Sequence, residues 1–193
     1  MWRWIAQKWF LWALAVVLVA AAVSDLRSGK IYNCVTYPAV LVGLVGHWLW
    51  GGVDFQGQRI GLADAVIGLV VGFVPLFLAW RAGGIGGGDA KLMAAVGALT
   101  GWEFTLSSMF YGFLIAGVMA VATMVRYRIT LRTLGRVWRF LMLAITPGKV
   151  DGPADPAGAD SPKIAFGLAL CIGAAIELID VCLDGPLTGR LFQ

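Results

Sequence analysis

The chain has 193 residues, of which 60% are apolar and 13% charged, and 26 glycines come on top of that apolar share. An average soluble domain is roughly 45–50% apolar with glycine included and about 25% charged, so a water-soluble globular enzyme is excluded. Disorder is excluded too, because disordered chains are poor in aromatics and this one carries nine Trp and ten Phe. What remains is one integral membrane domain over residues 1–193, all-α in class. The net charge of +4 implies no nucleic-acid partner, since in a membrane protein the placement of Lys and Arg matters more than their sum.

Apolar runs long enough to span occur at roughly 5–24, 31–50, 60–80, 90–102, 104–125 and 164–183, which predicts a six-helix bundle. The first run follows Arg3 and Lys8 and ends near Ala20, Ala21 and Ala22, as a signal peptide would. Five further spans and the polar residues just after it argue for a retained helix. Placing the N-terminus outside puts 11 of the 15 basic residues inside, so both termini are expected outside.

The longest inside loop, 126–163, has two parts. Arg132, Arg136 and Arg139 recur at helical spacing among Leu131, Leu134, Val137, Trp138 and Leu141. This suits either a basic helix lying on anionic lipid or plain positive-inside charge. The following TPGKVDGPADPAGADSP is too rich in Pro, Gly and Asp to pack and reads as a linker. Gly68, Gly72, Gly112 and Gly117 within the spans are expected to let helices approach closely. Cys34, Cys171 and Cys182 have no CxxC spacing, so neither a disulfide framework nor a zinc site is expected.

Acidic residues carry the functional information, because a carboxylate in or beside the bilayer is costly unless it is paired or works. Asp54, Glu103, Asp151, Asp155, Asp160 and Asp184 fall in loops or at helix ends. Asp64, Glu177 and Asp180 lie toward the outer halves of spans three and six and read as interfacial or paired. Asp25 and Asp89 have no such explanation. Asp25 opens SDLRSGKIYN directly after span one, and Asp89 closes AGGIGGGD directly before the short span four. From Asp89 to Gly101 a helix covers only about 20 Å of a hydrocarbon core about 30 Å thick. With Trp102 at the outer interface, Asp89 is recessed below the inner surface. Gly83, Gly84, Gly86, Gly87 and Gly88 leave room for another chain to come close. Phosphate-binding glycine patterns fail at every register. Two carboxylates at one cleft suit an aspartic protease, one activating a water and the other polarising the scissile carbonyl. Which of the two holds the proton stays open.

Two motifs carry a family resemblance. DLRSGKIYN resembles the D-x-x-x-x-x-I-P-N element of type IV prepilin peptidases, and GGGDAKL resembles their G-x-G-D-x-K motif. SPKIAFGLALCIGA is similar to the basic, Phe-Gly-containing segment that leads into that family's last span. The resemblance implies Asp25 and Asp89 as the catalytic pair, with Gly86, Gly87, Gly88, Lys91 and Asn33 lining the substrate loop. It implies cleavage of a prepilin leader at the cytoplasmic face of a bacterial or archaeal inner membrane, with no cofactor and no metal. The family's proline is Tyr32 here. Bifunctional members carry a methyltransferase region before the first aspartate. Only 24 residues precede Asp25, so a peptidase-only form similar to Flp-type prepilin peptidases is expected.

Three alternatives stand beside this reading. Another GxGD intramembrane protease would place its first aspartate inside a helix, whereas Asp25 lies in a polar segment. A small transporter would use Glu177, Asp180 and the basic loop as an ion path. A non-catalytic pilus assembly partner would tolerate loss of either aspartate.

Overall fold

The structure is a computed structural model that describes residues 2–49, 53–55, 58–81, 85–126 and 166–182. Five helices occur among them: α1 (Trp2–Ser28), α2 (Asn33–Leu49), α3 (Leu62–Arg81), α4 (Gly87–Arg126) and α5 (Phe166–Cys182). Between α2 and α3 lies a two-stranded antiparallel hairpin, β1 (Val53–Phe55) and β2 (Gln58–Ile60), with Asp54 opposite Arg59. The all-α class holds, and that hairpin is a local addition the sequence reading lacked. A short polar connection between two long helices has room for a ladder of three residue pairs, and such a ladder has no apolar periodicity to announce it. The chain divides into two compact units, residues 1–115 with 165–193, and residues 116–164. Of the second, only helical residues 116–126 are described. The basic helix and linker expected over 126–163 lie outside the described residues beyond Arg126.

The helices are apolar on both faces. Along α1 the residues Phe10, Leu14, Val17, Leu18, Ala21 and Asp25 recur at helical spacing and are buried. Trp12, Val16, Val19 and Val23 on the opposite side are exposed and equally apolar. Residues 9–28 of α1, all 20 residues of α3 and the 40-residue α4 are long and apolar enough to cross a membrane. The 17-residue α2 and α5 reach about 25 Å each.

Helix α4 joins the two spans expected at 90–102 and 104–125. Gly101 divides it, with a non-helical φ of 81° and ψ of −178°, a conformation that favours glycine. Before that break, Leu92 through Thr100 are all buried. A helix buried on every side is a central one. Close approach makes this possible: a Cβ on Gly97 or Gly68 would strike the other's backbone, and one on Gly72 would strike Met93. On the far side of Gly101, Gly112 and Gly173 bring α4 against α5 in the same way. Gly117 departs from the expectation, since nothing among the described residues lies within 4 Å of its Cβ position. The buried His47 ties α2 to this central helix by donating from Nε2 to the Leu99 carbonyl at 2.9 Å.

Candidate active site

Asp25 sits in the last turn of α1, a correction to its expected place after the helix. The helix runs through SDLRS because its stop signal comes later: Gly29, at φ 60°, donates its N–H to the Asp25 carbonyl at 2.8 Å, a glycine-terminated helix end. Ser24 and Ser28 turn their hydroxyls onto the Ala21 and Ser24 carbonyls, so the polar residues are absorbed into the helix. Helical context therefore does not separate Asp25 from the first aspartate of other GxGD proteases.

Asp89 is the third residue of α4. Its Oδ2 accepts the Gly86 N–H at 3.2 Å, the reach-back half of a capping box. Gly87 packs on the Trp80 indole, its Cβ position 3.2 Å from Nε1, and that contact aligns the start of α4 with the end of α3. Gly88 lies against Ile31, whose Cβ is 3.1 Å from the Gly88 Cβ position.

The two carboxylates meet at the start of α5. Both are buried, at 8% and 6% exposure for Asp25 and Asp89. A Cβ built on Gly167 would lie 2.9 Å from Asp89 Oδ1 and 3.0 Å from Asp25 Oδ2. Asp25 Oδ2 also accepts the Leu168 N–H at 2.8 Å. Each carboxylate is thus held through one oxygen by a backbone N–H at a helix N-terminus, where the macrodipole favours negative charge. Carboxylates gathered about one point can share a proton or hold a water between them.

Lys91 and Asn33 join from the side. The Lys91 ammonium donates to Asn33 Oδ1 at 2.9 Å and lies 5.3 Å from the Tyr37 ring centroid, within cation–π range. This clamps the start of α2 to the first turns of α4. Ile31, on the connection from Asp25 to Asn33, also reaches Gly167, its Cδ1 2.9 Å from the Cβ position. All seven residues singled out from the sequence, Asp25, Asn33, Gly86, Gly87, Gly88, Asp89 and Lys91, therefore gather at one end of the bundle.

Sequence reasoning missed Gly167 and Leu168 as site residues. The one signal was the Phe-Gly pair in SPKIAFGLAL, which has no chemistry of its own. Glu177 and Asp180 lie elsewhere, buried along α5, and Glu177 is about 15 Å of helix from Gly167. Asp64 accepts the Gly61 N–H at 3.0 Å and so caps the start of α3. Cys171 is buried, Cys34 and Cys182 are exposed, and all three are free thiols. Among the described residues no three His, Cys, Asp or Glu side chains form a metal-binding group.

The sequence pattern of the type IV leader peptidase family matches residues 12–121, more than half of the chain. The chain belongs to that family. Asp25 and Asp89 both fall within the matched residues. Three similar proteins share the name prepilin leader peptidase/N-methyltransferase. The one from Aeromonas hydrophila is 34% identical over 120 residues, covering 55% of this chain and 38% of its own. The one from Aeromonas salmonicida strain A449 is 36% identical over 99 residues, covering 47% and 31%. The one from Escherichia coli K12 is 33% identical over 93 residues, covering 45% and 38%. The chain thus matches between 31% and 38% of the length of these curated relatives. No solved structure matches it.

Proposed function

We propose that this protein is a prepilin leader peptidase in which Asp25 and Asp89 are the catalytic pair. The observation that carries the reading is that carboxyl oxygens of both aspartates lie within 3.0 Å of one point beside Gly167. Family membership supports a peptidase, and the spacing of the carboxylates supports the aspartic type. One carboxylate takes a proton from a water as its oxygen attacks the scissile carbonyl carbon, while the other gives a proton to the carbonyl oxygen. When the tetrahedral intermediate collapses, the carboxyl that took the water's proton gives it to the amide nitrogen, the C–N bond breaks, and the products are a carboxylic acid and an amine. No metal or cofactor takes part in this proposal, and neither does the methyltransferase activity in the relatives' name.

The substrate class is a precursor with a basic leader in water and an apolar helix in the membrane, cleaved at their junction. Burial of Asp89 at the start of the central helix supports cleavage at that depth, below the surface and short of the bilayer centre. The protein would be a multi-pass inner-membrane protein with six crossings, counting α4 as two about Gly101, both termini outside and the aspartates facing the cytoplasm. The basic stretch of the 126–163 loop would rest on anionic lipid.

The test is co-expression with a prepilin and a gel shift of its leader, using wild type, Asp25→Asn and Asp89→Asn. Cleavage by the wild type alone is expected. Processing that persists in both variants rejects the peptidase reading and leaves a non-catalytic assembly partner.

A further inference from the structure

The starts of three helices and the end of a fourth converge at the aspartates, and two of these elements supply the carboxylates. The first turn of α5, Phe166 to Ala169, has no titratable side chain, and the nearest, the buried Cys171 thiol, follows in the next turn. That first turn contributes backbone. The first N–H groups of a helix have no partner within it, and Leu168, third in α5, spends its N–H on Asp25 Oδ2 at 2.8 Å. Asp25 therefore caps a helix that lies 143 residues away in the chain. One residue earlier, Gly167 presents a bare Cα to both carboxylates and to Ile31. Any side chain at that position would occupy the point the two carboxylates share.

We infer that the first turn of α5 is the third wall of the active site, where the Leu168 N–H positions the Asp25 carboxylate and Gly167 keeps open the space for the scissile peptide group. The inference rests on the proposed cleavage by Asp25 and Asp89. Leu168 is a positioning residue, because its N–H touches Asp25 and not the substrate. With Oδ2 tied to α5, the plane of the Asp25 carboxyl is set, and the attacking water meets it in one orientation. Loss of that tie leaves Asp25 free to rotate, which lowers the rate of the chemical step and spares substrate binding.

The test uses the full chain in detergent and a prepilin that the wild type cleaves, with kcat and KM measured per folded molecule. Replacing the Leu168 amide by an ester removes the N–H and leaves every side chain in place. It is expected to lower kcat roughly ten- to hundred-fold, as for a hydrogen bond to a charged group, with KM within about twofold. Leu168→Pro removes the same N–H at a place where a helix tolerates proline and is expected to show the same split. Gly167→Ala crowds Asp89 Oδ1, Ile31 and Asp25 Oδ2 and is expected to lose activity more than about a hundred-fold per folded molecule, with some loss of melting temperature from the same crowding. Wild-type kcat in the ester variant, or full activity in Gly167→Ala, overturns the inference. If that happens while Asp25→Asn and Asp89→Asn are inactive, the peptidase reading stands and only the role of α5 falls. If both asparagine variants still cleave, the peptidase reading falls and takes this inference with it.

Discussion

Helices α3 and α4 begin with the same local device. Each opens after a glycine, Gly61 or Gly86, and each carries an aspartate at its third position whose Oδ2 reaches back to that glycine's N–H, at 3.0 Å for Asp64 and 3.2 Å for Asp89. Their backbones use the two carboxylates identically. The difference lies in the second oxygen. Asp64 is part-exposed and, among the described residues, bonds only within the start of its own helix, whereas Asp89 is buried and turns Oδ1 toward the point it shares with Asp25 beside Gly167. An acidic helix start is thus a common structural feature. It becomes a candidate catalytic group only where another helix delivers a second carboxylate to it.

The largest test of this contrast compares three asparagine variants. Asp25→Asn and Asp89→Asn are each expected to slow leader cleavage by roughly a hundred- to ten-thousand-fold, the usual worth of a general acid or base. Asp64→Asn keeps an oxygen able to accept the Gly61 N–H and is expected to cleave within about twofold of wild type, with less than about 1 kcal/mol lost in stability. Cleavage kinetics and thermal unfolding of the same detergent samples measure both. A large rate loss in Asp64→Asn breaks the contrast.

The glycines sharpen it next. A methyl group on Gly88 meets the Ile31 Cβ at 3.1 Å, while one on Gly61 meets only Asp64 Oδ2 at 3.8 Å. Gly88→Ala is therefore expected to cost about 1–3 kcal/mol of packing strain where Ile31 cannot yield, read as a several-fold slower cleavage. Gly61→Ala is expected to change the rate less than twofold.

A smaller effect belongs to the clamp beside Asp89. Lys91→Met and Asn33→Ala remove the same hydrogen bond, so each is expected to destabilise the fold by about 1 kcal/mol and the double variant by little more than either. Additive losses in thermal unfolding would show that the two side chains act separately. The smallest effect on rate is expected for Glu177→Gln. That residue is as buried as Asp89 but stands well along α5, so cleavage per folded molecule should stay within about twofold. A larger loss would mean that burial of an acid, and not convergence with a second one, marks the site.

Much of this was legible in the residues. Asp25 and Asp89 stood out because the other acids had a loop, a helix end, an interfacial place or pairing within the bundle to explain them, and Gly101 showed where a short span had to end. The reading erred where local signals competed: Ser24 and Asp25 looked like a helix end, but the glycine that stops α1 is Gly29. The hairpin between α2 and α3 had too few residues to show a pattern. Gly117 had the same composition signal as Gly68 and Gly112, and only the neighbours tell them apart.

By itself the sequence determined that the chain is a set of apolar helices, that few charges sit among them, and that two aspartates follow motifs of one peptidase family. These are properties of runs and spacings, written locally along the chain. Only the tertiary structure decided that Gly167 and the Leu168 N–H belong with Asp25. A glycine and a backbone amide have no side-chain signature, and the contact joins residues 143 positions apart. Which elements meet at the aspartates is decided by the packing of α1, α4 and α5, and that packing depends on surfaces contributed by all three helices at once.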